Sequence, residues 1–210
     1  MAARKYSMNR REAAVEETRR RLVDATVALH NEQGVLATTM QDIARRADVA
    51  LGTAYRHFPT IGDAVFACGA RLQEMMPFPV VALFDAAKSP RERVHILISE
   101  LFRYYDQGQR WIEVGYCERS GLPALAQAMA QFDAQIARFV DAGIAPLPRD
   151  ARFVRAARGF AQFYSWKAFS RAGMSTDEAI ELVAGILCDL AARADEESSS
   201  PRGRKTGKGA

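Results

Sequence analysis

The sequence predicts an all-α protein, with a small N-terminal three-helix domain built around a helix-turn-helix and a larger helical domain after it. Three observations predict this class. Apolar residues recur at three- and four-residue spacing along nearly the whole chain, Gly and Pro fall between those runs, and no stretch alternates long enough for a strand. No internal repeat is present, and the 210 residues suffice for two domains.

Val15, Thr18, Leu22, Ala25 and Leu29 share one helical face and Gly34 stands at a stop position, so a first helix is expected over about 12–32. Thr39-Met-Gln-Asp42 sets a hydroxyl three residues before an acid, the start of a second helix over about 40–46. Ala47–Ala50 is the turn, a third helix covers about 51–57, and Pro59 ends it. A fourth helix over about 61–76 is expected to bury Val65, Cys68, Leu72 and Met76, and Pro77 and Pro79 mark a boundary. Later helices are expected over about 80–87, 90–107, 110–119, 123–142, 150–172 and 176–193. Their breaks fall at Ser89-Pro90, Gly108, Gly121-Leu-Pro123, Pro146-Leu-Pro148 and Gly173, and Ser175-Thr-Asp-Glu178 is a second capping box.

Charge is uneven. The net +4 resolves into +4 over residues 1–21, +1 over 194–210 and −1 for everything between. Arg4, Lys5, Arg10 and Arg11 carry no acid among them, which predicts a basic flexible arm over 1–11 suited to a nucleic-acid groove. Residues 196–210 lack apolar content and are expected to be disordered. No run of about 18 apolar residues spans a membrane and no secretory signal opens the chain, so a cytoplasmic protein is expected. Cys68, Cys117 and Cys188 form no C-x-x-C and are expected to be buried thiols. His30, His57 and His95 lack metal-ligand spacing, and neither H-E-x-x-H nor G-x-S-x-G occurs. An enzyme is therefore not expected, and neither is a catalytic residue, a metal or a cofactor.

Residues 38–60, TTMQDIARRADVALGTAYRHFPT, carry the functional signal. Ile43, Ala44, Ala47, Val49, Ala54 and Phe58 would face one another across the two short helices. The stretch resembles the TetR family of transcriptional regulators, whose pattern T-x-x-x-I-A-x-x-A-x-V-x-x-G-x-x-Y-x-H-F is met at Thr39, Ile43, Ala44, Ala47, Val49, Gly52, Tyr55, His57 and Phe58. The resemblance is specific over residues 12–76. It implies a DNA-binding domain over 12–76 and an effector-binding and dimerisation domain over 77–195.

Within that frame the third helix enters the major groove. Thr53 and Gln41 are the expected base readers, with Arg56 beside them, and Leu51 could touch a thymine methyl. Tyr55 and His57 suit phosphates, Thr39 and the start of the second helix another phosphate, and Gly52 leaves room for the groove wall. Arg10 and Arg11 reach from the arm. Three departures stand out: Ala50 where the family has a capping Ser, Ile61 where a Lys commonly meets phosphate, and Gly62 where an acid is usual. Ile61 is expected to face the DNA backbone, or else to pack under the first helix as an apolar staple. The aromatics Phe102, Tyr105, Trp111, Tyr116, Phe132, Phe163 and Trp166 are candidates to line an apolar effector pocket. Phe160, Ile180, Val183, Ala184 and Leu187 are expected at the homodimer interface, formed by the last two helices. The expected function is a palindrome-binding regulator, a repressor released by a small apolar effector. The rival is a helical interaction protein whose helix-turn-helix has lost tight DNA binding.

Overall fold

The computed structural model describes residues 2–147 and 150–199; side chains 2–11, 195 and 197–199 lie outside the described set. The expected tail therefore falls outside the described residues from 200 onward. The described elements are all helical: α1 (Ala2–Gln33), α2 (Met40–Arg46), α3 (Leu51–His57), α4 (Ile61–Met75), α5 (Pro90–Glu118), α6 (Pro123–Ile144), α7 (Ala151–Phe160), α8 (Phe163–Arg171) and α9 (Thr176–Ser199). Short 3₁₀ turns cover Val81–Ala86 and Arg119–Gly121.

Two compact units emerge. The first holds Met1–Phe78 and Gly108–Asp133; the second holds Pro79–Gln107 and Ala134–Ala210. The N-terminal head thus takes the end of α5 and the start of α6 into its own body.

In the first unit, α1 starts at Ala2, so the backbone of the expected arm is helical. Its sequence is rich in Ala and Arg and free of Gly and Pro, which favours that outcome. Val15, expected on the buried face, is 57% exposed; burial begins at Leu22 and continues with Ala25 and Leu29. These pack with Ile43, Ala44, Ala47, Ala54, Phe58 and Ala64 into one core cluster. Two capping boxes set the head's geometry. Thr39 and Asp42 cap α2 reciprocally, and Thr60 and Asp63 do the same for α4. A second cluster joins Val35 and Val65 to Val114, Leu125 and Met129, which seats the α5–α6 corner on the head.

The second unit differs from expectation at several points. Gly108 does not break α5, which runs unbroken for 29 residues. One interior Gly costs about 1 kcal/mol relative to Ala, too little to stop so long a helix. Conversely, the single helix expected over 150–172 is two, parted at Ala161-Gln162. The Tyr105 hydroxyl donates to the Ala161 carbonyl at 2.8 Å, giving that carbonyl a partner outside the helix. Arg93 satisfies three carbonyls at once, donating to Gly143 and Ala142 at 2.9 Å and to Phe84 at 3.0 Å. It thereby ties the end of α6 to the 3₁₀ turn. After α8, Gly173 N–H donates to Ser170 and Met174 N–H to Phe169, a Schellman closure, and Ser175 and Glu178 cap α9.

Candidate nucleic-acid interface

The turn between α2 and α3 is tight: Asp48 adopts φ 53, and Val49 N–H reaches back to the Ala44 carbonyl at 3.0 Å. Phe58 and Ala54 are buried beneath, so α3 is held by its inner face and its polar side chains point outward. Tyr55, 47% exposed, lies on that outer face with Leu51 and Arg56, while Thr53 and His57 are half-buried. Gln41 is exposed on the first turn of α2, and Gly52 has open space around it. The polar candidates on α2 and α3 thus sit on one continuous head. Arg10 and Arg11 fall among the side chains outside the described set.

Electrostatics separates the arginines. Arg46 pairs with Glu32 through two hydrogen bonds of 2.6 and 2.8 Å, and Arg45 pairs with Asp42 at 2.5 Å. Both charges are spent on neighbours. Arg56 instead donates from Nη2 to Thr53 Oγ1 at 2.8 Å and from Nε to the Gly52 carbonyl at 3.3 Å, both neutral acceptors. The Thr39 hydroxyl is engaged by Asp42, whose carboxyl it holds below its ordinary range, so Thr39 acts first as a cap. Asp63 is lowered in the same way by Thr60.

The three departures acquire physical readings. Ala50 is the N-cap of α3 and makes no side-chain cap. Ile61 is half-buried, its apolar side chain packed against the head's core cluster, which favours the apolar-staple reading over the backbone-facing one. Gly62 is a packing requirement: a Cβ there would stand 2.9 Å from the Ala124 Cβ of α6.

Two features are not legible in the sequence pattern. Arg19 lies over the Phe58 ring at 5.1 Å and, with His57, Pro59, Asp63 and Phe66, lines an open groove of about 350 Å³ beside α3. Its only signal in the sequence is one Arg among several on α1. The second is Glu118, whose Oε2 accepts the backbone N–H groups of Val35 at 2.7 Å and Leu36 at 2.9 Å. A carboxylate at the end of α5 opposes the helix dipole, and the two amides of the α1–α2 turn offset that. Gly34, at φ +90, permits the turn, and a Cβ there would collide with the Glu118 carboxylate.

The aromatic candidates divide between the units. Phe102, Tyr105, Phe163 and Trp166 are fully buried in the second, with the Trp166 indole N–H given to Thr176 Oγ1 at 3.3 Å. Trp111, Tyr116 and Phe132 belong to the first and are half-buried, with Phe78 edge-on to Phe132 and the Tyr116 hydroxyl donated to Asp133. The interface candidates need correction. Ile180, Val183, Ala184 and Leu187 are buried within this chain's own second unit, because their stripe is the face α9 turns to its own core. Phe160 is half-buried, while Leu182 at 42% and Tyr164 at 49% are exposed. Cys117, expected to be buried, is exposed; Cys68 is buried, which pushes its thiol up to about 12. Among the described residues no helix is long and apolar enough to cross a membrane, and no cluster could hold a metal ion.

A head of this geometry, with a capped α2, a tight turn and an outward polar face on α3, defines a helix-turn-helix protein. The profile of "Bacterial regulatory proteins, tetR family" matches residues 22–67. The chain belongs to the TetR family. It is 32% identical over 128 residues to the HTH-type transcriptional repressor KstR of Rhodococcus jostii, covering 61% of this chain and 58% of that one. It is 39% identical over 85 residues to the HTH-type transcriptional regulator BetI of Rhizobium meliloti, covering 40% and 42%. It is also 35% identical over 95 residues to the uncharacterized HTH-type regulator TtgW of Pseudomonas putida, covering 39% and 71%. The chain thus spans about half the length of KstR and BetI. Among solved structures, a TetR/AcrR-family regulator of Thermobifida fusca shares the fold at a TM-score of 0.55 and 21% identity, over 80% of this chain and 95% of that one.

Proposed function

We propose that the chain is a sequence-specific DNA-binding transcriptional regulator, a repressor that acts as a homodimer on a palindromic operator and is released by a small, largely apolar effector. The observation that carries the reading is the outer face of α3. Tyr55, Arg56, Thr53 and Leu51 project from a seven-residue helix whose inner face is sealed into the head's core. A helix so mounted fits the major groove, and polar tips beside it suit phosphates. The repressor sense is supported by the relatives named KstR.

The remaining parts rest on separate features. Dimerisation is assigned to the outward residues of α8 and α9: Leu182, Gly185 and Ile186 recur at helical spacing on α9, and Tyr164 is exposed on α8. Effector contact is assigned first to Trp111, Tyr116 and Phe132, which are half-buried, whereas Phe102, Tyr105, Phe163 and Trp166 are fully buried in the second unit's core. An electrophoretic shift with the duplex upstream of the protein's own gene tests the reading. A retarded complex that resists competitor DNA is expected. No retardation at low salt, on this duplex or on a randomised library, would favour the interaction-protein alternative.

A further inference from the structure

The chemistry of α3 goes further than a general capacity to enter a groove, and its use by the protein rests on the proposed DNA-binding function. Arg56 is held by its own helix. Its Nε donates to the Gly52 carbonyl and its Nη2 to Thr53 Oγ1, at 3.3 and 2.8 Å. Nε and Nη2 form one edge of the planar guanidinium, so that edge is turned back along α3. The fork has five N–H donors in fixed geometry. Nη1 and the second Nη2 hydrogen, the end-on pair, are left out of these two bonds.

Both acceptors are neutral, so no carboxylate offsets the Arg56 charge through these bonds, whereas Arg45 and Arg46 are matched to carboxylates. The side chain is exposed on the face of α3 opposite the buried Ala54. An end-on pair of parallel N–H donors matches the two acceptors that guanine shows in the major groove, O6 and N7. Adenine shows N7 beside an N6 donor, and thymine a single acceptor beside a methyl, so neither accepts both hydrogens.

We propose that Arg56 reads one guanine in each operator half-site, and that Thr53 is the positioning residue that holds its guanidinium end-on. Thr53 thus moves from base reader to support. Its hydroxyl already accepts from Arg56, and it stands three residues back, one turn along the helix. A phosphate would fit the same donor pair, but a phosphate contact carries no sequence information. Sequence preference therefore separates the two.

The test uses the full-length chain and a duplex library with a randomised central region, selected for binding and sequenced. The wild type is expected to enrich a motif with one fixed guanine per half-site. Arg56→Ala is expected to relax that position alone, with discrimination falling about ten- to a hundredfold. Replacing the fixed guanine by 7-deazaguanine, which lacks the N7 acceptor, should weaken the wild type about tenfold and leave Arg56→Ala unaffected. Thr53→Val, close to Thr in shape but without the hydroxyl, should relax the same position partially, and should add nothing in the Arg56→Ala background. Melting curves of both variants should match the wild type.

Four outcomes overturn it in different ways. A wild type that enriches no motif sinks the DNA-reading function itself. A wild-type motif that Arg56→Ala binds more weakly but with unchanged preferences makes Arg56 a phosphate contact. A motif without guanine at any position sensitive to Arg56 sinks the base assignment. A Thr53→Val change at a different base pair makes Thr53 an independent reader and removes its positioning role.

Discussion

The two units spend their polar atoms differently. In the first, Thr39 and Thr60 cap helix ends at the surface, and Tyr55 and Arg56 project outward from α3. In the second, the largest polar-tipped aromatics are turned inward and satisfied, Tyr105 on the Ala161 carbonyl and Trp166 on Thr176. The first arrangement keeps a rigid frame while leaving functional groups in water, where a ligand can take them at little desolvation cost. The second makes the same residue types part of a close-packed core, where exposing them costs lost packing as well as lost hydrogen bonds. An aromatic-rich sequence is therefore weak evidence for a pocket, and a capped short helix with an exposed polar face is stronger evidence for a binding surface.

The largest test of this contrast lies on α9. Leu187→Glu puts an unpaired charge into the second unit's core, a loss of about 3–5 kcal/mol that should abolish the cooperative melt. Leu182→Glu, five residues away and 42% exposed, should melt within a few degrees of the wild type yet run as a monomer on sizing. If Leu182→Glu stays dimeric, the outer face of α9 is not the interface.

A smaller effect comes from acid. Burial pushes the His30 imidazole down to about 4 from 6.5, with the Glu118 carboxylate pulling the other way. The ring is therefore neutral in the fold and must charge on unfolding, so its contribution is complete above pH 6.5 and lost as pH falls toward 4. Stability should drop by about 1.4 kcal/mol per pH unit in that window, to a total of about 3 kcal/mol. His30→Gln, which cannot take the proton, should flatten the slope between pH 6.5 and 4 in chemical denaturation; an unchanged slope would mean other groups carry it.

How much of the molecule is legible in the sequence depends on distance along the chain. The Thr39–Asp42 and Ser175–Glu178 boxes span three residues, and the rule that finds them applies equally to Thr60–Asp63, a box obscured by the departures from the family pattern at Ile61 and Gly62. The helix-turn-helix core is legible for the same reason, since Ile43 to Phe58 is one local motif. Glu118 meets Val35 across 83 residues, and no periodicity announces such a contact. Likewise α9 is apolar on more than one face. Spacing identifies Ile180, Val183, Ala184 and Leu187 as a stripe, but only the packed chain decides that the stripe is its own core.

The Glu118 contact gives the next prediction in size. Glu118→Ala removes a charged acceptor from two amides of the α1–α2 turn, at a cost of about 1–3 kcal/mol. Glu118→Gln, which keeps an acceptor oxygen, should recover much of it. Gly34→Ala should be costly in the wild type, since a Cβ would strain φ +90 and press on the carboxylate. In the Glu118→Ala background the second penalty vanishes, so a double-mutant cycle should show coupling. Additive losses would mean the carboxylate and the turn do not depend on each other.

The smallest expected change is a gain, and it tests the head's one uncapped functional helix. Ala50 has the extended backbone of an N-cap, φ −65 and ψ 143, yet no side-chain oxygen to offer. Thr53 N–H already donates to the Ala50 carbonyl at 2.8 Å, so the helix begins without help from a side chain. Ala50→Ser supplies a hydroxyl within reach of the amides two and three residues on, the arrangement that α2 and α4 already use. Stability should rise by about 0.5–1 kcal/mol, seen as a melting temperature a few degrees higher. The site is exposed, so no core must repack around the added oxygen. If α3 is frayed before it meets DNA, the cap should also tighten operator binding about two- to fivefold, since less ordering remains to be done on association. If the melting temperature rises and affinity does not, then α3 is already fully ordered by the burial of Ala54 and Phe58. A fall in melting temperature would show that the Ala methyl, not a cap, suits this position.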